Sequence, residues 1–310
     1  MQRIFQGEHT MRILLTGGTG LIGRALCRHW QRQGHELWVW SRSPHQVSAL
    51  CSGARGMARL QELDGGPPVD AVVNLAGAPI ADRRWTQAQR HLLWRSRVDL
   101  TRTLVDWMGQ QPTPPRVLLS GSAVGWYGDR GEQLLDEDSA PGQADFGSRL
   151  CVAWEHEAER AVQWGVRVAV LRTAPVLASQ GGMLTRLLHV FRIGLGGPLG
   201  SGQQWMPWIH IDDQVDLINH LLQRGECSGA FNACAPEPVR NQDFTRSLAR
   251  ALRRPGVLPA PAWALRLALG EMSVLLLGGQ RLTPRRTLAA GFAWRHPALE
   301  PALEQLLHTP

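Results

Sequence analysis

A chain of 310 residues with 44% hydrophobic content is long enough to bury one large core, or a large core and a smaller partner. Its net charge is +7, all 33 basic residues are arginines, and they are scattered in runs of at most two, which reads as solvated surface rather than a nucleic-acid module. The five cysteines form no Cys-x-x-Cys, the eleven histidines form no His-Glu-x-x-His, and no apolar stretch reaches the roughly 18 residues of a membrane span, so a disulfide framework, a zinc site and a membrane anchor are excluded. The expectation is a reduced, cytoplasmic protein without a metal and without a membrane or nucleic-acid partner.

Residues 1–10 are polar and too short for a secretory signal, and Met11 reads as the natural start with 1–10 as an upstream extension. Met11–Thr16 is a short apolar run ending in a Gly-rich turn, as a buried parallel strand would be. Leu21-Ile22, Ala25-Leu26 and Trp30 then recur at helical spacing, with Gly34-His35 as the stop. Glu36–Trp40 and Asp70–Leu75 read as strands, Thr86–Met108 as one long helix, and Arg116–Ser120 as a strand ending in Ser120-Gly121-Ser122. Ser148–Trp164 is helical, closed by Gly165, and Val166–Leu171 is the next strand. This alternation of short apolar strands and helices predicts an α/β fold with a doubly wound parallel sheet covered on both faces.

After Thr173 the pattern changes. Gly181–Trp208 is glycine-rich, Ile209-His210-Ile211-Asp212-Asp213 opens a helix, and Ala230–Asn232 fits one more strand. From Pro236 the chain is helical and punctuated by prolines. Its most apolar part, Ala260–Leu277, is interrupted by Arg266 and Glu271 and suits a packed helix. The predicted organisation is 11–235 as the main domain, with 174–209 as an inserted substrate or lid segment, and 236–310 as a smaller C-terminal lobe.

The strongest motif is Thr16-Gly17-Gly18-Thr19-Gly20-Leu21-Ile22-Gly23, which directly follows the first strand and opens the first helix. Glycines there allow a tight turn, close approach of a pyrophosphate and helix-on-strand packing, while the helix N-terminus offers unpaired N–H groups. Thr16, Gly17, Thr19, Gly20, Leu21, Ile22 and Gly23 are therefore expected to bind a dinucleotide, joined by Leu75, Ala76 and Gly77 after the Asp70–Leu75 strand. At the end of the second strand, Trp40-Ser41-Arg42-Ser43 lacks the acid that would hold the ribose of NAD, and Arg42 offers donors to a 2′-phosphate. The cofactor predicted is NADP(H).

These residues, with Asn74-Leu75-Ala76-Gly77, Ser120-Gly121-Ser122 and Ile209–Asp213, resemble the extended short-chain dehydrogenase/reductase superfamily. Gly17–Arg24, Asn74–Trp85, Ser120–Asp129, Gly194–Asp213 and Gly270–Phe292 are similar to its atypical epimerase family branch, over about residues 11–307. The resemblance implies a Rossmann domain followed by that branch's small C-terminal domain of unknown function.

It also implies a site in which Ser orients the substrate, Tyr transfers the proton, Lys lowers the Tyr pKa and Asn completes a relay. By position Ser122 matches the Ser, Cys151 stands where Lys would be, Phe146 or Gly147 where Tyr would be, and Arg97 where Asn would be. The branch shares this departure. A free phenol is only about 0.1% ionised at pH 7, and bringing its pKa near 7 takes roughly 4 kcal/mol from neighbouring cations. Tyr127, the single tyrosine, is either the phenol acid or a packed ring; Cys151 is either a buried thiol or one ionised beside Arg97. Trp126 and Trp205, with Trp208, are expected to wall a substrate site under the Gly194–Trp208 segment. Two functions remain open: an NADP-dependent oxidoreductase or epimerase on an unknown small, nucleotide-sugar-like substrate, and a non-catalytic NADP(H)-binding regulatory protein.

Overall fold

The computed structural model describes residues 10–308, so the reading of the first nine residues as part of an extension lies outside the described residues. Seven strands form one sheet: β1 (Arg12–Thr16), β2 (Glu36–Trp40), β3 (Arg55–Met57), β4 (Ala71–Asn74), β5 (Val117–Ala123), β6 (Arg167–Thr173) and β7 (Gly229–Ala233). Every pairing is parallel, in the order β3-β2-β1-β4-β5-β6-β7. This is the doubly wound arrangement, and strand order reverses between β1 and β4, where such folds open a ligand crevice.

Alternation along each strand feeds two separate cores. Ile13, Leu15, Val39, Val73, Leu119 and Leu171 pack on one face with Leu26 and Trp30 of α1 (Leu21–Arg32). Leu14, Val72, Leu118 and Val170 pack on the other with Leu104 and Met108. Both faces are covered, which is why the strands read as continuous apolar runs.

The predicted long helix is α2 (Gln87–Trp94) and α3 (Leu100–Gln110), joined by a π-helical turn at Arg95–Asp99. The next helix is α4 (Phe146–Glu159), continued by a 3₁₀ turn to Trp164 and ended by Gly165 in the left-handed region at φ 75°. The edge strand β3 has no counterpart in the sequence reading. Three residues are too few for a period-2 signal, and Gly56 is there because a Cβ would lie 2.2 Å from Pro44 O.

Beyond the sheet, α5 (Gly182–Arg192) lies in the predicted inserted segment, followed by α6 (Ile211–Gln223), α7 (Asn241–Leu252), α8 (Ala262–Leu269) and α9 (Leu299–His308). Leu184, Leu188 and Phe191 of α5 share a core with Trp208, Phe244, Leu248 and Leu303, so the inserted segment packs as part of the C-terminal lobe. The Ala260–Leu277 region is not one packed helix. It breaks at Gly270, φ 61°, and α8 fully buries none of its side chains, with Leu269 partly buried and Trp263 69% and Leu267 73% exposed. No helix among the described residues is long and apolar enough to cross a membrane.

The Ile209–Asp213 motif works as a staple. His210 Nδ1 caps α6 by accepting the Asp212 N–H at 3.1 Å. The fully buried Asp213 carboxylate accepts the backbone N–H groups of Arg295 (2.7 Å) and His296 (3.1 Å), tying the C-terminal tail to the sheet domain. Asp213→Ala strands both donors and is expected to cost about 2–4 kcal/mol, measured by urea unfolding, with Asp213→Asn losing less.

Candidate functional site

The first element of the site is the loop between β1 and α1. Gly17 has φ +71°, and a Cβ there would sit 2.5 Å from Leu75 O; at Gly23 it would sit 2.3 Å from Gly17 O. Only glycine lets the β1 loop, the β4 loop and the first turn of α1 come this close. Gly20 is the N-cap of α1 with no side-chain cap, and no acid occupies the first turn. The first-turn N–H groups and the positive end of the helix dipole therefore face outward toward any phosphate. The cradle fits a dinucleotide pyrophosphate.

A buried hydrogen-bond chain holds the neighbouring loop. Thr16 Oγ1 donates to Asn74 Oδ1 at 2.6 Å and accepts the Ala76 N–H at 3.1 Å, and Asn74 Nδ2 donates to Thr101 Oγ1 at 2.7 Å. Thr101 in turn accepts the Trp154 indole N–H at 2.9 Å. The Leu75-Ala76-Gly77 segment is thereby registered against the phosphate loop. The π-helical turn finishes the clamp: Ser96 Oγ accepts the Ala78 N–H at 3.0 Å and Arg97 Nη2 donates to Ala78 O at 3.0 Å. A Cβ on Gly77 would lie 2.8 Å from the Arg97 guanidinium. Arg97 has no carboxylate partner among the described residues, and burial lowers its pKa to about 10, so it stays charged at neutral pH.

The expected catalytic residues divide into two groups. Ser122, Cys151 and Arg97 are neighbours, but each is engaged or masked. Ser122 Oγ donates to Glu155 Oε1 at 2.5 Å. Burial pushes the Cys151 thiol up to about 12, with Glu155 adding to the effect and Arg97 opposing it. Cys151 is thus a protonated, buried thiol rather than one ionised by Arg97.

Tyr127 is placed as a packed ring, away from the cavity lining. It is fully buried; its hydroxyl donates to Asn232 Oδ1 at 2.6 Å and accepts from Arg172 Nη1 at 3.1 Å. Burial pushes its pKa up to about 12, away from what proton transfer at neutral pH needs.

Behind these residues lies an ion pair that the sequence reading missed. Arg172 Nε and Nη2 meet the two Glu155 oxygens at 3.0 Å each, with both side chains almost wholly buried. A signal was present: Arg172 directly follows the apolar run Val168–Leu171 and is buried with it, and Glu155 stands one helical turn from Cys151 on the inward face of α4. Trp126 stacks on Arg172, the guanidinium carbon 3.9 Å from its ring centroid, and is drawn into this network rather than into the cavity wall.

A cavity of about 180 Å³ opens at the same carboxyl edge of the sheet, between Val124, Gly125 and Gly147 on one side and Phe191, Met206 and Leu275 on the other. Trp205 lines it, as do Gly197, Leu199 and Pro207 of the glycine-rich segment. Trp208 instead is buried in the C-terminal core. A larger cavity of about 280 Å³ lies between Pro67–Val69 and Gln111–Pro115, at the amino edge of the sheet, away from the phosphate loop. Open α/β sheets bind ligands at the carboxyl edge, which makes the smaller cavity the candidate site. Arg42 is exposed just beyond β2 and makes no ion pair among the described residues. His210, Asp212 and His296 bring ligand-type atoms within 4.8 Å of one another. Both His210 nitrogens are already engaged, by the Asp212 N–H and by Gln305 Oε1 at 2.9 Å, so this cluster serves capping.

The profile of the NAD dependent epimerase/dehydratase family matches residues 13–234, and a domain of unknown function, DUF1731, matches 260–306. The chain belongs to this epimerase family. Human epimerase family protein SDR39U1 is 36% identical over 302 residues, 96% of this chain and 100% of that protein. YfhF, an epimerase family protein of Bacillus subtilis, is 36% identical over 305 residues, 96% of this chain and 98% of its own length. A crystal structure of the human protein with NADPH superposes with a TM-score of 0.86, covering 96% of this chain and 99% of that one at 36% identity.

Within this epimerase-family frame, two outcomes check the geometry of the site. Arg172→Met leaves the Glu155 carboxylate buried and unpaired, and is expected to cost about 3–5 kcal/mol in denaturant unfolding, with the paired change Glu155→Leu/Arg172→Met recovering most of it. Iodoacetamide at pH 8 is expected to leave Cys151 unmodified in the native protein, read by peptide mass spectrometry, because the thiol titrates near 12.

Proposed function

We propose that this chain binds NADP(H) and transfers hydride to or from a small molecule held in the cavity at the carboxyl edge of the sheet, as an oxidoreductase or epimerase of the cytoplasm. The observation that carries the reading is the glycine cradle at Gly17, Gly20 and Gly23, together with Arg42 where an NAD-binding acid would stand. The NADPH in the human relative's crystal structure supports the cofactor. Thr16, Gly17, Thr19, Gly20, Leu21, Ile22 and Gly23 would hold the pyrophosphate, Leu75, Ala76 and Gly77 the adjoining part of the cofactor, and Arg42 the 2′-phosphate. The bound cofactor supplies the hydride.

The chain's own residues then position and polarise. Arg97, a cation without a carboxylate partner among the described residues, stands beside Gly77 and Ala78 on the cofactor side, outside the cavity wall, where it can offset the negative charge of the bound cofactor. Tyr127 and Cys151 hold their protons at neutral pH but are buried and do not line the cavity, and the Ser122 hydroxyl is spent on Glu155, so in this reading the proton comes from solvent or from the substrate itself. The same three facts favour a second reading, a non-catalytic NADP(H)-binding regulatory protein.

Removal of the Arg42 guanidinium discards charge-assisted hydrogen bonds, each worth about 1.5–3 kcal/mol. Arg42→Ala is therefore expected to weaken NADPH roughly 10–100-fold while leaving NADH unchanged, measured by calorimetry. Equal NADPH and NADH affinities in the unmodified chain would overturn the cofactor assignment. Deuterium transfer from C4-labelled NADPH into a carbonyl substrate separates the two functions. Label in product supports the oxidoreductase, and a silent carbonyl panel with intact NADPH binding supports the regulatory protein.

A further inference from the structure

The cavity walls carry a pattern that selects a substrate class. No arginine or histidine lines the cavity among the described residues, and Asp145 is the single ionisable side chain there. Three amide side chains line it with Thr245, and each amide directs its NH2 group at a partner inside the protein. Gln204 Nε2 donates to Leu199 O and Leu276 O, both at 2.9 Å, and Gln280 Nε2 donates to Gly128 O at 2.9 Å. Asn241 Nδ2 points at Met206 Sδ, 3.7 Å away.

The amino end of α4 also faces this cavity, and a helix N-terminus ordinarily attracts anions. Here it already holds two. Asp145 Oδ1 accepts the Ser148 N–H at 2.9 Å, and Glu271 Oε1 accepts the Phe146 N–H at 3.1 Å. A third anion would meet two carboxylates, and Arg90, which stands over the Phe146 ring, is already paired with Glu271. At about 180 Å³ the space is also below the roughly 300–1,000 Å³ typical of pockets for drug-sized ligands. A diphosphate has no partner here.

Asp145 itself has one oxygen to spare. Oδ1 caps the helix, whereas Oδ2 accepts no hydrogen bond among the described residues and would lie 3.5 Å from a Cβ on Gly128, at the cavity's edge. We infer that this site takes a compact, largely apolar molecule whose hydrogen-bond donor, a hydroxyl or an ammonium, docks on Asp145, and that it does not take a nucleotide sugar. The inference deepens the hydride-transfer reading and rests on NADP(H) occupying the adjoining cradle.

The test is binding, not turnover. The full chain is first saturated with NADP⁺, confirmed by calorimetry; failure at that step overturns the cofactor reading, and this inference with it. Ligand-observed NMR then compares cyclohexylamine, cyclohexanol, cyclohexanecarboxylate and UDP-glucose. Cyclohexylamine, cyclohexanol or both are expected to bind, and the carboxylate and UDP-glucose are expected to be silent. Asp145→Asn retains an acceptor for the cap, since Asn and Asp are equally good N-caps, and is expected to keep the melting temperature. It should weaken cyclohexylamine at least tenfold while sparing cyclohexanol, which separates the ammonium source from the hydroxyl source. Asp145→Ser, also a capping residue, should weaken whichever of the two binds. Binding of UDP-glucose, binding of the carboxylate as tight as that of the amine, silence of both donor probes, or indifference of the donor probes to both Asp145 variants would overturn the inference while leaving NADP(H) binding intact.

Discussion

The buried pair Glu155–Arg172 is the constraint around which this end of the molecule is organised. Two charges removed from water survive only if every remaining lone pair and N–H finds a partner. Arg172 satisfies this by bonding Glu155, the Tyr127 hydroxyl and Glu137 O, and Glu155 by accepting from Ser122 as well. One guanidinium thus joins the end of β6 to α4 and to the segment after β5. Glu137 extends the network by accepting the Asn232 N–H at 3.0 Å and the Arg286 N–H at 3.2 Å.

This network changes what the missing Tyr-x-x-x-Lys pair means. The positions of that pair are not an empty acid–base site. Phe146 packs in an apolar cluster with Trp85 and Trp154, Gly147 opens space into the cavity, and Cys151 is buried beside Ser122. What remains exposed to a ligand is a largely apolar cavity with one ionisable side chain, the Asp145 carboxylate. The chemistry such a surface can support is positioning and electrostatic stabilisation, the part of catalysis that does not need a titrating acid.

The cofactor side of the site was legible because its requirements are local. A strand end, three glycines at fixed spacing and a helix start must be adjacent in the chain, and each Cβ that would clash is absent for a reason that the spacing announces. The exposed position of Arg42 directly after β2 was legible for the same reason. The π-helical turn at Arg95–Asp99 was not, since its residues have the same composition as the helices on either side. Nor was the break at Gly270 that leaves Trp263 and Leu267 exposed, because apolar content alone does not say which face finds a neighbour.

The sequence by itself determined the parallel sheet, the phosphate loop and the absence of a lysine-assisted phenol, all of which depend on residue type and short spacing. Tertiary structure alone decided where Tyr127 goes, 105 residues from its partner Asn232, and that Ser122 and Arg172 share Glu155. It also decided that Asp145 faces the cavity opposite residues from α5, α7 and the 274–280 segment. Those outcomes follow from hydrogen-bond satisfaction and packing among segments distant in the chain, and no local pattern of residues encodes them.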